Sequence, residues 1–126
     1  MGVAKKNRRK FAYHDQVFYW DVKEDPDEDY KILLIVSDDK KFIIHYRLLQ
    51  DNPNNLLVPK YPYITVLGKT FKGRNDVGSC HKRFVVPKWE DTIVTPKLIE
   101  MILEWCFLEG EVAEVDYKGE LLTNVQ

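Results

Sequence analysis

The densest run of chemically capable residues spans 68–84, GKTFKGRNDVGSCHKRF. It holds three glycines five positions apart, Cys80 beside His81, and the basic residues Lys69, Lys72, Arg74, Lys82 and Arg83. Phosphate binding is the first chemistry this suggests. A P-loop needs G-x-x-x-x-G-K-[ST] between a strand and a helix, so that backbone amides and the lysine converge on the phosphates. Gly68 and Gly73 have that spacing but are followed by Arg74 and Asn75, while Gly73 and Gly78 are followed by Ser79 and Cys80. The run CHKRFVVP reads as a strand, so no helix N-terminus faces the loop. The P-loop is excluded on both counts.

Thiol chemistry is the second. Neighbours in a strand point to opposite faces, so Cys80 and His81 do not pair with each other. A dyad would need Cys80 with His45 or His14, or Cys106 with His45. A cysteine in a short globular chain more often serves as a small buried hydrophobe. Metal spacing is absent: there is no C-x-x-C, H-x-H or H-x-x-x-H. Asp25, Asp27 and Asp29 mimic the start of an EF-hand loop, but Tyr30 and Val36 stand where glycine and glutamate are required. No G-x-S-x-G elbow occurs. The sequence therefore assigns no catalytic residue, metal ligand or cofactor.

Electrostatics remain. The formal net charge of −1 conceals alternating blocks. Five basic residues crowd Lys5 to Lys10, the connector KEDPDED is acidic, and residues 89–126 carry nine acids against Lys97 and Lys118. Phosphate contacts could come from Lys5, Lys6, Arg8 and Arg9 in the arm and from Lys69, Lys72, Arg74, Lys82 and Arg83 in the loop. Phe71, Tyr13, Tyr19 and Trp20 would then offer stacking surfaces. Against this stand an isoelectric point near 6.3, acidic blocks equally strong and the absence of RNP-like or helix-turn-helix patterns. Nucleic-acid association ranks second for that reason.

These residues must be positioned by a small fold. A chain of 126 residues fits one domain with a core that needs no disulfides. Residues 1–9 lack apolar periodicity and read as a basic flexible arm, with a single domain over 10–126. FAYH and VFYWDV, separated by Asp15-Gln16, read as a hairpin with Phe18, Trp20 and Val22 on one face. YKILLIV is apolar on both faces and reads as a central strand. After the turn SDDKK the chain returns as FIIHYRL, with Phe42, Ile44, Tyr46 and Leu48 on one face and Ile43, His45 and Arg47 on the other. QDNPNN is a loop, and YITVLG and RFVVP are further strands.

A helix over about 95–109 is well signalled. Thr95 is a suitable N-cap, Pro96 suits the first helical position, and Gly110 is expected to close the end as C′. Leu98, Ile99, Ile102, Leu103, Trp105 and Cys106 form its apolar face, opposite Lys97, Glu100 and Glu104. Met101 and Leu108 lie on the solvent flank. A terminal strand or hairpin is expected around Lys118-Gly119. Strands followed by one helix give an α+β domain: mainly antiparallel sheet with the C-terminal helix packed on one face.

The stretches VSDDKKFIIHY, YITVLGKTF, CHKRFVVPKW and TPKLIEMILEWC together resemble small uncharacterised bacterial proteins that combine an SDDKKF-like turn with a TP…IEWC-like helix. The resemblance covers roughly residues 17–108 and implies a stand-alone bacterial domain, with no activity carried over.

No apolar run is long enough to span a bilayer, and the positive N-terminus lacks a signal peptide's apolar region. A cytoplasmic location, with both cysteines reduced, is expected. The leading functional expectation is a non-enzymatic module that binds a protein partner or a second copy of itself. Met101, Leu108 and Trp105 form the candidate partner surface. Nucleic-acid binding and a thiol-dependent enzyme follow in that order, and no membrane partner is expected.

Overall fold

The computed structural model describes residues 9–24, 31–50, 61–72, 82–91, 93–108, 110, 112–116 and 118–122. Among these residues seven antiparallel strands form one sheet in simple sequence order, with one helix on one face. The strands are β1 (Arg9–Tyr13), β2 (Gln16–Glu24), β3 (Lys31–Ser37), β4 (Ile43–Arg47), β5 (Tyr63–Val66), β6 (Lys82–Val85) and β7 (Glu114–Val115). The helix, α1, is Pro96–Phe107. This is the α+β domain that the sequence pattern implies. Residues 1–8 of the arm lie outside the described set, and Arg9 belongs to β1.

The period-2 pattern sets the two faces. Phe18, Trp20, Leu33, Ile35, Ile44, Tyr46, Ile64, Val66 and Phe84 point to one face, where they meet Leu98, Ile99, Ile102, Leu103 and Cys106 of α1. Each large side chain so buried contributes on the order of 1.5–3 kcal/mol. Leu34 and Val36 are also buried, although they face away from the helix. The central β3 is thus covered on both sides from Leu33 to Ser37.

The connections show which polar residues build the sheet. The β1–β2 turn is His14-Asp15, one residue earlier than the composition suggests, because both residues adopt left-handed φ (48° and 64°). A two-residue loop of that kind matches the twist of its flanking strands. In the β3–β4 turn Asp39 accepts from the Ser37 hydroxyl at 2.6 Å and from the Lys41 amide at 3.0 Å. The Ser37 oxygen in turn accepts from the Phe42 amide at 3.0 Å.

Two buried polar side chains replace missing ladder bonds. The Gln50 amide donates to the Tyr63 carbonyl at 2.7 Å and accepts from the Tyr63 amide at 3.0 Å. Asp91 accepts from the Tyr46 hydroxyl and the Leu49 amide, both at 2.9 Å. The far end of the sheet closes on itself: β7 bridges to Leu121, and the Asp116 carboxylate accepts from the amides of Lys118 and Glu120. This is the terminal hairpin expected around Lys118-Gly119.

Gly68 sits where β5 leaves β4. The amides of Leu67 and Gly68 both donate to the Ile43 carbonyl, at 2.9 and 3.0 Å. A Cβ on Gly68 would collide with the Ile43 amide nitrogen and the Lys41 carbonyl, both backbone and unable to yield. Gly68→Ala is therefore expected to destabilise the fold by roughly 1–3 kcal/mol in denaturant melts. A loss below the error of the melt would show that this junction relaxes freely.

The Asp39 carboxyl is held below its ordinary value, chiefly by the Ser37 hydroxyl and then by the Lys41 amide. A folded-state pKa below the unfolded one gives stability that is present above the unfolded value of 3.8 and lost as pH falls through the folded value. Asp39→Asn should accordingly flatten the decline in stability below about pH 4. Parallel pH–stability curves for the two proteins would contradict it.

Candidate functional site

The helix begins as its sequence dictates. The Thr95 hydroxyl accepts from the Leu98 amide at 3.2 Å, and Pro96 occupies the first turn. Its end differs from expectation. The last helical residue is Phe107, Leu108 is extended, and Gly110 lies beyond, without a left-handed φ. The Leu108 amide donates to the Glu104 and Trp105 carbonyls at 3.1 and 3.3 Å, and Lys72 supplies the rest of the cap. Its backbone amide donates to the Cys106 carbonyl at 2.8 Å, and its ammonium donates to the Trp105 and Leu108 carbonyls at 2.8 and 2.9 Å. The same ammonium lies 3.9 Å from the centroid of the Trp105 ring. A cation here also meets the negative end of the helix dipole.

Lys72 therefore leaves the set of phosphate-contacting residues. It is only 5% exposed and its charge is engaged by the helix. The other basic residues of that set that are described do not gather. Lys69 is exposed, while Lys82 and Arg83 are consecutive in β6 and point to opposite faces. Arg9 lies over Trp20, 5.4 Å from the ring centroid. Lys5, Lys6, Arg8 and Arg74 are outside the described residues. Phe71, expected as a stacking surface, is buried and stacks on Phe84 at 5.2 Å.

Thiol chemistry fares similarly. Cys106 is fully buried against the core, and burial pushes its thiol far above the ordinary range, with Lys72 opposing weakly. His45 points to the other face of the sheet, so these two do not form a dyad. Cys80 and His81 lie outside the described residues, as do Asp25, Asp27 and Asp29. Among the described residues no three His, Cys, Asp or Glu side chains gather closely enough to hold a metal.

The partner-surface residues divide. Trp105 is half-buried, edge-on to Phe71 and Trp89 at 5.7 and 5.9 Å. Met101 and Leu108 are exposed, Leu108 at 64%. Leu108 opens onto a cavity of about 330 Å³ lined also by Tyr13, His14, Gln16, Glu104 and Phe107. Tyr13 stacks on Phe107 at 6.2 Å. Partial burial, then the Glu104 and Glu100 carboxylates, push the Tyr13 phenol above its ordinary range.

A second cavity, of about 610 Å³, lies at the other end of β1. Arg9, Lys10, Phe11, Trp20, Asp21, Val22, Val94 and Pro96 line it. Pro96 starts α1 near Arg9–Phe11, and Phe107 ends it near Tyr13. The helix thus runs alongside β1 in the same sense, with one cavity at each end of their seam. Sequence reasoning picked out Leu108 and the basic Arg9, but it missed the seam, because nothing in periodicity states that β1 is an edge.

That edge has a definite hydrogen-bonding pattern. Tyr13 and Gln16 flank a two-residue turn, so Tyr13, Phe11 and Arg9 spend their backbone groups on β2. Lys10 and Ala12 direct theirs outward. Among the described residues no strand pairs with this outer edge. The opposite edge, β7, has its bridge to Leu121.

No family model, curated protein or solved structure matches the chain. No helix among the described residues is long and apolar enough to cross a membrane.

Replacing Lys72 removes the ammonium that bridges the Trp105 and Leu108 carbonyls at the helix end. Lys72→Met should cost roughly 1.5–3 kcal/mol in thermal or denaturant unfolding, the range for hydrogen bonds to a charged group. A neutral result would show that water caps the helix equally well.

Proposed function

We propose that this chain is a non-enzymatic binding module that takes an extended segment of a partner protein as an additional strand on β1. The observation that carries this reading is the open edge of β1 running beside α1, with a cavity at each end of the seam. Strand addition supplies affinity through backbone hydrogen bonds and selectivity through pockets for alternate side chains. The outward groups of Lys10 and Ala12 supply the first. The cavities on the helix-facing side supply the second, since every other side chain of an added strand points there.

A partner of different sequence is favoured over a second copy. Arg9 and Lys10 charge the edge, and basic residues on an edge strand discourage indiscriminate self-pairing. The buried thiol of Cys106 and the dispersed basic residues give no comparable support to an enzyme or to nucleic-acid binding.

Ala12→Pro tests the reading, because proline removes the outward N–H while the β1–β2 bonds remain, and edge strands tolerate it. Phage-displayed random heptapeptides should enrich on the parent protein and fail to enrich on Ala12→Pro of unchanged circular dichroism. Equal enrichment on both proteins, or none on the parent, would overturn strand addition. A parent protein that sediments as a dimer, and becomes a monomer in Ala12→Pro, would replace the partner protein with a second copy.

A further inference from the structure

The two ends of the β1–α1 seam carry opposite charge, and this specifies the partner more closely. At one end Arg9 lines the larger cavity and lies over Trp20 on the helix-facing side, while Lys10 and Asp21, also along its rim, point to the other face. At the other end Glu104 lines the smaller cavity, and Glu100 lies near enough to influence the same Tyr13. His14 is the basic group in that lining. The apolar floor between them comes from Phe11 and Tyr13, both packed against the core.

Resting on the strand-addition reading above, we infer that the bound segment is bipolar: an acidic side chain at the Arg9 end and a basic one at the Glu100–Glu104 end, with an apolar side chain between. Arg9 and Tyr13 are four residues apart in an extended strand, a span of roughly 13 Å. The partner's charges are then also about four residues apart, on the same face of its strand as the central apolar side chain. This is charge complementarity along a fixed ruler. It sets the register of the added strand, which backbone hydrogen bonds alone leave free to slip by two residues.

Chemically, the segment reads acidic–polar–apolar–polar–basic in one chain direction or the other. An antiparallel partner would place its basic residue first, and a parallel partner its acidic residue first. The structure treats the two alike, and the selected sequences report which is used.

The heptapeptide selection tests this with charge-reversed proteins. Peptides from the parent protein should show opposite charges four positions apart, enriched roughly threefold to tenfold over charge-swapped sequences, as expected for two exposed ion pairs. On Glu104→Lys the preferred charge at that end should turn acidic, and on Arg9→Glu the other end should turn basic. Both positions are exposed, so neither change is expected to unfold the chain. Enrichment that is lost on Ala12→Pro but blind to charge would overturn the bipolar partner and leave strand addition standing. Enrichment that survives Ala12→Pro would overturn strand addition and the bipolar partner with it.

Discussion

Lys72 ties down the C-terminal end of α1. A helix end leaves backbone carbonyls without partners, and most helices satisfy them with a left-handed residue or with water. Here a lysine from the segment after β5 does so, through its own amide and through its ammonium. Lys72 holds a left-handed φ of 54° to reach that position. A lysine in that region is uncommon, and its cost is offset by three hydrogen bonds and a ring contact. The consequence is mechanical. Trp105, Phe107 and Leu108 are held where the helix ends, so the wall facing Tyr13 and His14 has a fixed position. A binding groove with one frayed wall would lose selectivity, because ordering that wall would consume the free energy of binding.

The second constraint is the asymmetry of the sheet's edges. A simple meander necessarily leaves two strands with one neighbour each. The chain closes the β7 side by turning back on it, with Asp116 organising the turn. Among the described residues no strand covers the β1 side, where the backbone groups of Lys10 and Ala12 face outward. A sheet edge is a hazard when flat and apolar, and a recognition element when it borders pockets. Because α1 runs beside β1, the edge here borders pockets.

Much of this fold was legible in the sequence where the determinants are local. Alternation over Phe18–Val22 and Phe42–Leu48 assigned the correct faces, because a strand's side chains have period 2 whatever surrounds them. Thr95-Pro96 marked the helix start for the same reason: a cap is made by its own residue. The helix end was not legible. Gly110 had the right type, but part of the cap was supplied by Lys72, more than thirty residues earlier in the chain. Lys72 itself looked like surface charge, since a lysine shows no sign in sequence of the carbonyls it will meet. Gln50 and Asp91 were missed alike, each acting on a partner brought near only by the tertiary fold. The candidate site was least legible of all. Leu108 and Arg9 stood out singly, yet the seam that gives them meaning follows from strand order, which composition and periodicity do not encode.

The central claim is that the β1 edge is open and becomes paired when a ligand binds. Amide hydrogen exchange along β1, followed by NMR before and after saturation with a heptapeptide selected on the parent protein, addresses it residue by residue. The account predicts that Lys10 and Ala12 exchange fast in the free chain while Phe11 is protected, and that Lys10 and Ala12 become protected in the complex. Protection of Lys10 and Ala12 already in the free chain, or unchanged exchange at both on binding, would contradict it.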